Sequence, residues 1–85
     1  MKEFSYVITD PNGMHARPAG RITAVAKQYK SYTTLWYKAG NSDIKKLLQF
    51  MGSNVKENEK VIVRVEGVDE DTCAEALEKA FKENL

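Results

Sequence analysis

The chain has one cysteine, one histidine, two prolines and almost no net charge, with 13 basic residues against 12 acidic ones in 85. One cysteine cannot close an internal disulfide, so the fold does not depend on oxidation. A formal charge of +1 removes the electrostatic case for general nucleic-acid binding, which needs a clear excess of lysine and arginine. No stretch approaches the ~18 apolar residues of a membrane span, and "MKEFSYVITD" lacks the apolar run of a signal peptide. Membrane insertion is therefore not expected, and the expected location is the cytoplasm. A single histidine with no cysteine or second histidine beside it is a poor metal-ligand set. No serine or cysteine sits in a recognisable nucleophile turn. No metal or cofactor is implied.

What is present is ordinary globular composition, 42% hydrophobic and 29% charged. The length allows one domain, residues 1–85, with a thin core. Phe4, Tyr6 and Ile8 alternate with polar or outward positions, which predicts a strand closed by the turn "DPNG". From Ala16 the period changes. Ala19, Ile22, Val25, Ala26 and Tyr29 follow helical spacing, so an amphipathic helix is predicted to about Tyr29. "SYTTLWYKAGNSDI" reads as a second strand, a turn at Ala39-Gly40-Asn41 and a short third strand. Thr33, Leu35 and Tyr37 share one face there, with Trp36 on the other. "KKLLQFMG" predicts a brief helix ending in glycine, and "KVIVRVEG" a strand with Val61, Val63 and Val65 inward. The last helix, "DEDTCAEALEKAFKENL", carries the stripe Cys73, Ala76, Leu77, Ala80 and Phe81. Cys73 reads as a small buried hydrophobe.

The order βαββαβα predicts an α+β domain, with a four-stranded antiparallel sheet and three helices packed on one face. The other face stays open and carries Ser5, Thr34 and Arg64. Leu47, Leu48, Phe50 and Met51 span more than one face of a two-turn helix, so some of them should remain exposed as a docking patch. Gly20 lies inside the first helix, where it either allows close packing or softens the first turns. Trp36 on the open face suggests a covered patch or a self-contact.

"PNGMHARPAG" holds the lone histidine. His15 falls at the N-cap or first turn of a helix, with Pro18 where a missing N–H does no harm. The N–H groups that follow lack intrahelical partners, and the positive end of the helix dipole favours an attached anion. Arg17 adds forked donors suited to phosphate oxygens. A neutral imidazole is a competent nucleophile. These parts suit a phosphoryl group carried on a histidine nitrogen, though a histidine at a helix boundary can also be mere punctuation.

"GMHARPAG" closely resembles the active-site motif of the HPr family, the histidine-containing phosphocarriers of the bacterial sugar phosphotransferase system. Length, element order, the "GVDE" lead into the last helix and the placement of "KKLLQFMG" extend the resemblance over essentially the whole chain. It implies an open-faced β-sandwich in which enzyme I phosphorylates the motif histidine on Nδ1, and the group then passes to sugar-specific enzyme IIA. It implies no catalysis without a partner's active site, so the chain is expected to be a carrier rather than an enzyme, acting as a monomer. By this resemblance His15 is the phosphoryl carrier and Arg17 its charge partner. Pro18 shapes the helix start, the amides of Ala16 and Arg17 donate to phosphate, and Asn12 braces the loop. Lys45, Lys46, Leu47, Leu48 and Met51 form the partner-docking surface. Many Gram-positive relatives carry a regulatory serine where this chain has Lys46, so serine phosphorylation there is not expected. Lys46 either keeps the docking face positive or is an ordinary solvated lysine. The alternative is a regulatory or adaptor paralogue that binds a transcription factor or metabolic enzyme.

Overall fold

A computed structural model describes all residues, 1–85. The elements run β1 (Lys2–Val7), α1 (Ala16–Ala26), β2 (Tyr32–Tyr37), β3 (Gly40–Asp43), α2 (Leu47–Met51), β4 (Lys60–Glu66) and α3 (Glu70–Asn84). The four strands form one antiparallel sheet in the order β1-β4-β2-β3. The predicted α+β open-faced sandwich is therefore the observed one.

Strand alternation places the core. Val61, Val63 and Val65 of β4 and Leu35 of β2 are buried under the helices, where they meet Ile22 and Ala26 of α1 and Cys73, Leu77 and Phe81 of α3. The Phe81 ring lies edge-on to Phe4, Tyr6 and Phe50 at centroid distances of 5.9, 5.8 and 6.2 Å. Pairs of this geometry contribute about 0.5–1.5 kcal/mol each beyond the area they bury. One ring thus joins β1, α2 and α3. Ala76 is only half-buried, and Leu85 instead extends the α3 stripe into the core. Cys73 is buried, and desolvation, with a smaller contribution from the Asp69 charge, pushes its thiol up to about 11. It packs as a hydrophobe.

On the open face Arg64 donates to Glu3 at 2.7 Å and places its guanidinium 4.8 Å from the centroid of Trp36. Trp36 is thus partly covered by its own sheet. The β2–β3 turn is shorter than expected. Gly40 pairs with Tyr37 and Asn41 with Trp36, so the turn is Lys38-Ala39 and both later residues belong to the strand.

Helix α1 ends three residues before the expected Tyr29. Gln28 and Tyr29 donate to carbonyls only three residues back, those of Val25 and Ala26. The next two N–H groups leave the helix altogether, Lys30 donating to Asp69 Oδ2 at 2.8 Å and Ser31 to Oδ1 at 3.0 Å. The Ser31 hydroxyl also donates to Asp69 Oδ1. A Cβ on Gly67 would lie 2.7 Å from the Ser31 Cα, so glycine is needed for this approach. The "GVDE" segment is therefore the lock between the end of α1 and the start of α3.

The Ser31 hydroxyl, followed by the Lys30 N–H, holds the Asp69 carboxyl below the usual carboxylate range. A depressed folded-state value means that its contribution to stability is complete above the unfolded value of about 3.9 and is lost as pH falls through the folded one. Asp69→Asn is expected to lower the melting temperature at pH 7, with the gap from wild type closing as pH drops below about 4. Melts across that range by circular dichroism check both the sign and the window.

Candidate functional site

The loop before α1 is built by three separate anchors. Thr9 and Asp10 donate their N–H groups to the main-chain oxygen of Leu85 at 2.6 and 2.8 Å, and the Thr9 hydroxyl adds a third bond at 3.0 Å. Asp10 then turns the chain, its Oδ1 accepting the Asn12 N–H at 2.8 Å and its carbonyl the Gly13 N–H at 2.9 Å. Gly13 adopts φ +63°, and Met14, itself buried, donates to the Val55 carbonyl at 2.8 Å. Asn12 is exposed and enters this bracing through its backbone, while the carboxylate of Asp10 is the side chain that holds the turn.

His15 emerges from this loop as the N-cap of α1, in extended conformation, with its carbonyl accepting the Ala19 N–H at 3.1 Å. Its side chain is 40% exposed and places Nε2 3.8 Å from Asp10 Oδ2. That separation is too long for a hydrogen bond. One aspartate thus orders the loop with one oxygen and faces the imidazole with the other. Ala16 and Arg17 occupy the first two helical positions, where N–H groups have no intrahelical partner. Pro18, third in the helix and buried, removes no helical hydrogen bond.

His15, Arg17 and Pro18 share a cleft of about 190 Å³ with Asp10, Arg21, Glu83 and Asn84. The structure therefore gathers the predicted motif in one place and adds four residues that the sequence reading did not include. Arg21 was accessible to that reading, being one helical turn beyond Arg17 on the same face. Asp10 was read only as part of the turn "DPNG", and Glu83 and Asn84 carried no local signal. A larger groove of about 430 Å³ runs between β1 and α3, past Phe4 and Ala74, and contains none of the motif.

The segment between β3 and α2 is tied to α1 and to the turn after it by two bonds. The buried Thr23 hydroxyl donates to the Ile44 carbonyl at 2.7 Å, and the Lys45 ammonium donates to the Tyr29 carbonyl at 2.7 Å. Lys45 is thereby engaged, through one of its N–H groups, with the turn that follows α1. Lys46, the N-cap of α2, is exposed. Of the four apolar residues Phe50 is buried and Met51 half-buried, whereas Leu47 is 38% and Leu48 82% exposed. The helix-to-strand segment after α2 supplies Val55, which holds the loop one residue before His15.

Gly20 is half-buried, and a Cβ there would meet nothing within 4 Å. Close packing is therefore not its reason. Gly20→Ala is expected to stabilise the protein by roughly 0.5–1 kcal/mol, measured as a shifted urea midpoint at unchanged slope.

The profile of the family described as the PTS HPr component phosphorylation site matches residues 2–83. The chain belongs to the HPr family. It is 32% identical over 85 residues to the phosphocarrier protein HPr of Mycoplasma genitalium, covering 99% of this chain and 97% of that one. A solved histidine-containing phosphocarrier protein from a mycoplasma superposes with a TM-score of 0.93 at 26% identity, over 96% of this chain and 93% of the other. A dimeric HPr from Thermoanaerobacter tengcongensis superposes with a TM-score of 0.74 at 27% identity, covering 98% and 95% of the two chains. Membership in this family supports a phosphocarrier role in the phosphotransferase system. No helix is long and apolar enough to cross a membrane.

Proposed function

We propose that His15 accepts a phosphoryl group from phosphorylated enzyme I and passes it to a sugar-specific enzyme IIA, the protein acting as a monomeric carrier. The observation that supports this most is the half-exposed imidazole at the start of α1, with Asp10 at Nε2 and Arg17 in the same cleft. In the accepting step the Nδ1 lone pair forms the P–N bond, and the electron pair of the breaking bond stays with the donor. The reverse exchange delivers the group to the acceptor. Such transfers need positioning and charge compensation more than covalent chemistry from the carrier. The free N–H groups of Ala16 and Arg17 and the guanidinium of Arg17 supply the compensation, and Pro18 fixes the helix start. Each half of the exchange uses a partner's active site, so the protein is a carrier and not an enzyme.

The exposed Leu47 and Leu48, with the half-buried Met51 and the cation of Lys46, form the docking surface of this reading. Lys46 offers no hydroxyl to a serine kinase and keeps the surface positive, so docking is constitutive. A relay of phosphoenolpyruvate, enzyme I, this protein and enzyme IIA tests the function, read as labelled phosphate reaching the acceptor. Leu47→Glu combined with Leu48→Glu is expected to weaken docking to both partners at least tenfold, with the histidine untouched and the fold intact. Binding of partners without any transfer would favour the adaptor reading instead.

A further inference from the structure

The cleft beside His15 holds more negative charge than a phosphoryl site with one arginine can offset. Asp10 and Glu83 both line it, and a phosphoryl group adds ≈ −1.5 to −2 more. Arg17 alone would leave the cleft net negative before any phosphate arrived. Arg21 lines the same cleft. It stands one helical turn from Arg17, about 6 Å along the axis, and side chains on a helix tilt toward its N-terminus, here toward His15.

The position of Arg21 is set from the opposite wall. Asn84 donates its side-chain N–H to the Ala80 carbonyl at 2.8 Å, which turns its Oδ1 outward, and Arg21 Nη1 donates to that oxygen at 3.4 Å. One N–H of the fork is engaged in this way, and the others have no acceptor within the protein.

We propose that Arg21, positioned by Asn84 of α3, is a second charge-compensating residue for the phosphoryl group carried on His15. The inference rests on the carrier reading and deepens it. Two guanidinium groups balance the two carboxylates of the empty cleft, and the phosphoryl group draws on both. Arg21 thereby shifts the equilibrium between donor and carrier toward the phosphorylated carrier, a quantity the fold alone does not set.

The test measures the fraction of His15 phosphorylated at equilibrium with enzyme I at a fixed ratio of phosphoenolpyruvate to pyruvate, in low salt and in about 0.5 M KCl, where the Debye length falls to about 4 Å. Arg21→Gln is expected to lower the equilibrium constant about fivefold in low salt and less than twofold in high salt, and Arg21→Lys to restore most of the loss. An Arg21→Gln protein indistinguishable from wild type in low salt overturns the proposal and leaves the carrier reading standing. A loss that salt does not change, or that lysine fails to restore, also overturns it, since it marks a structural role. Wild-type protein that takes no phosphoryl group overturns both readings together.

Discussion

Replacing His15 by alanine is expected to abolish phosphoryl acceptance entirely while moving the melting temperature by no more than about 3 °C. The two halves of this result have separate causes. The chain has no other histidine, and its only thiol, Cys73, is buried and held protonated near neutral pH by desolvation. No second nucleophile of comparable kind can take over. The fold, by contrast, takes little from the imidazole. His15 makes no capping hydrogen bond with its side chain, and the carboxylate it faces, Asp10, stands 3.8 Å away. Exposed positions of this sort change stability by about 0.5 kcal/mol or less, which in a domain of this size is a shift of a few degrees at most. Loss of cooperative unfolding in His15→Ala would instead make the histidine a structural residue.

Gly13→Ala is expected to do the opposite, damaging the fold first and transfer through it. A Cβ at Gly13 would lie 2.4 Å from the Val55 carbonyl oxygen and 2.9 Å from the Lys56 Cα. Both obstacles are backbone, so no side-chain rotation relieves them. The φ of +63° adds a left-handed penalty of roughly 1–2 kcal/mol for any residue with a Cβ. Moving Val55 also strains the Met14 N–H bond to its carbonyl, worth about 1 kcal/mol. A loss on the order of 3 kcal/mol follows, from a total of about 5–15. The melting temperature should fall by roughly 10–20 °C. The same substitution at Gly20 is expected to stabilise, because no atom lies within 4 Å of its added carbon. A pair of melts on the two variants, with opposite signs, separates a glycine required by the turn from one that is not.

The histidine site was legible in the sequence as far as its parts are local. His15, Ala16, Arg17 and Pro18 follow one another along the helix start, and apolar periodicity marks that helix and the strands around it. Apart from Asp10 and Arg21, what the reading missed lies far apart along the chain. Asp69 ends α1 by taking the N–H groups of residues 39 and 38 positions away, Asn84 reaches Arg21 across 63, and Leu85 holds Thr9 across 76. Periodicity reports which face of an element is apolar, and it does not say which polar group another element will bring there. Apolar spacing carried α1 to Tyr29 for the same reason, since nothing nearby in sequence announces the competing carboxylate. Lys45 was expected beside Lys46 on the docking surface, and nothing local announces that its ammonium also reaches the Tyr29 carbonyl, 16 residues away. The exposure of Leu47 and Leu48 was legible because a helix this short cannot turn four apolar residues inward.

Phosphorylation of His15 is the one covalent event of the proposed cycle. Incubation with phosphoenolpyruvate and catalytic enzyme I, followed by mass spectrometry of the intact protein and its peptides at neutral to alkaline pH, tests it directly. The predicted result is a single acid-labile phosphoryl group confined to His15. Enzyme I preparations that phosphorylate a known HPr but leave this protein unmodified would contradict the account and return the motif to the role of helix boundary.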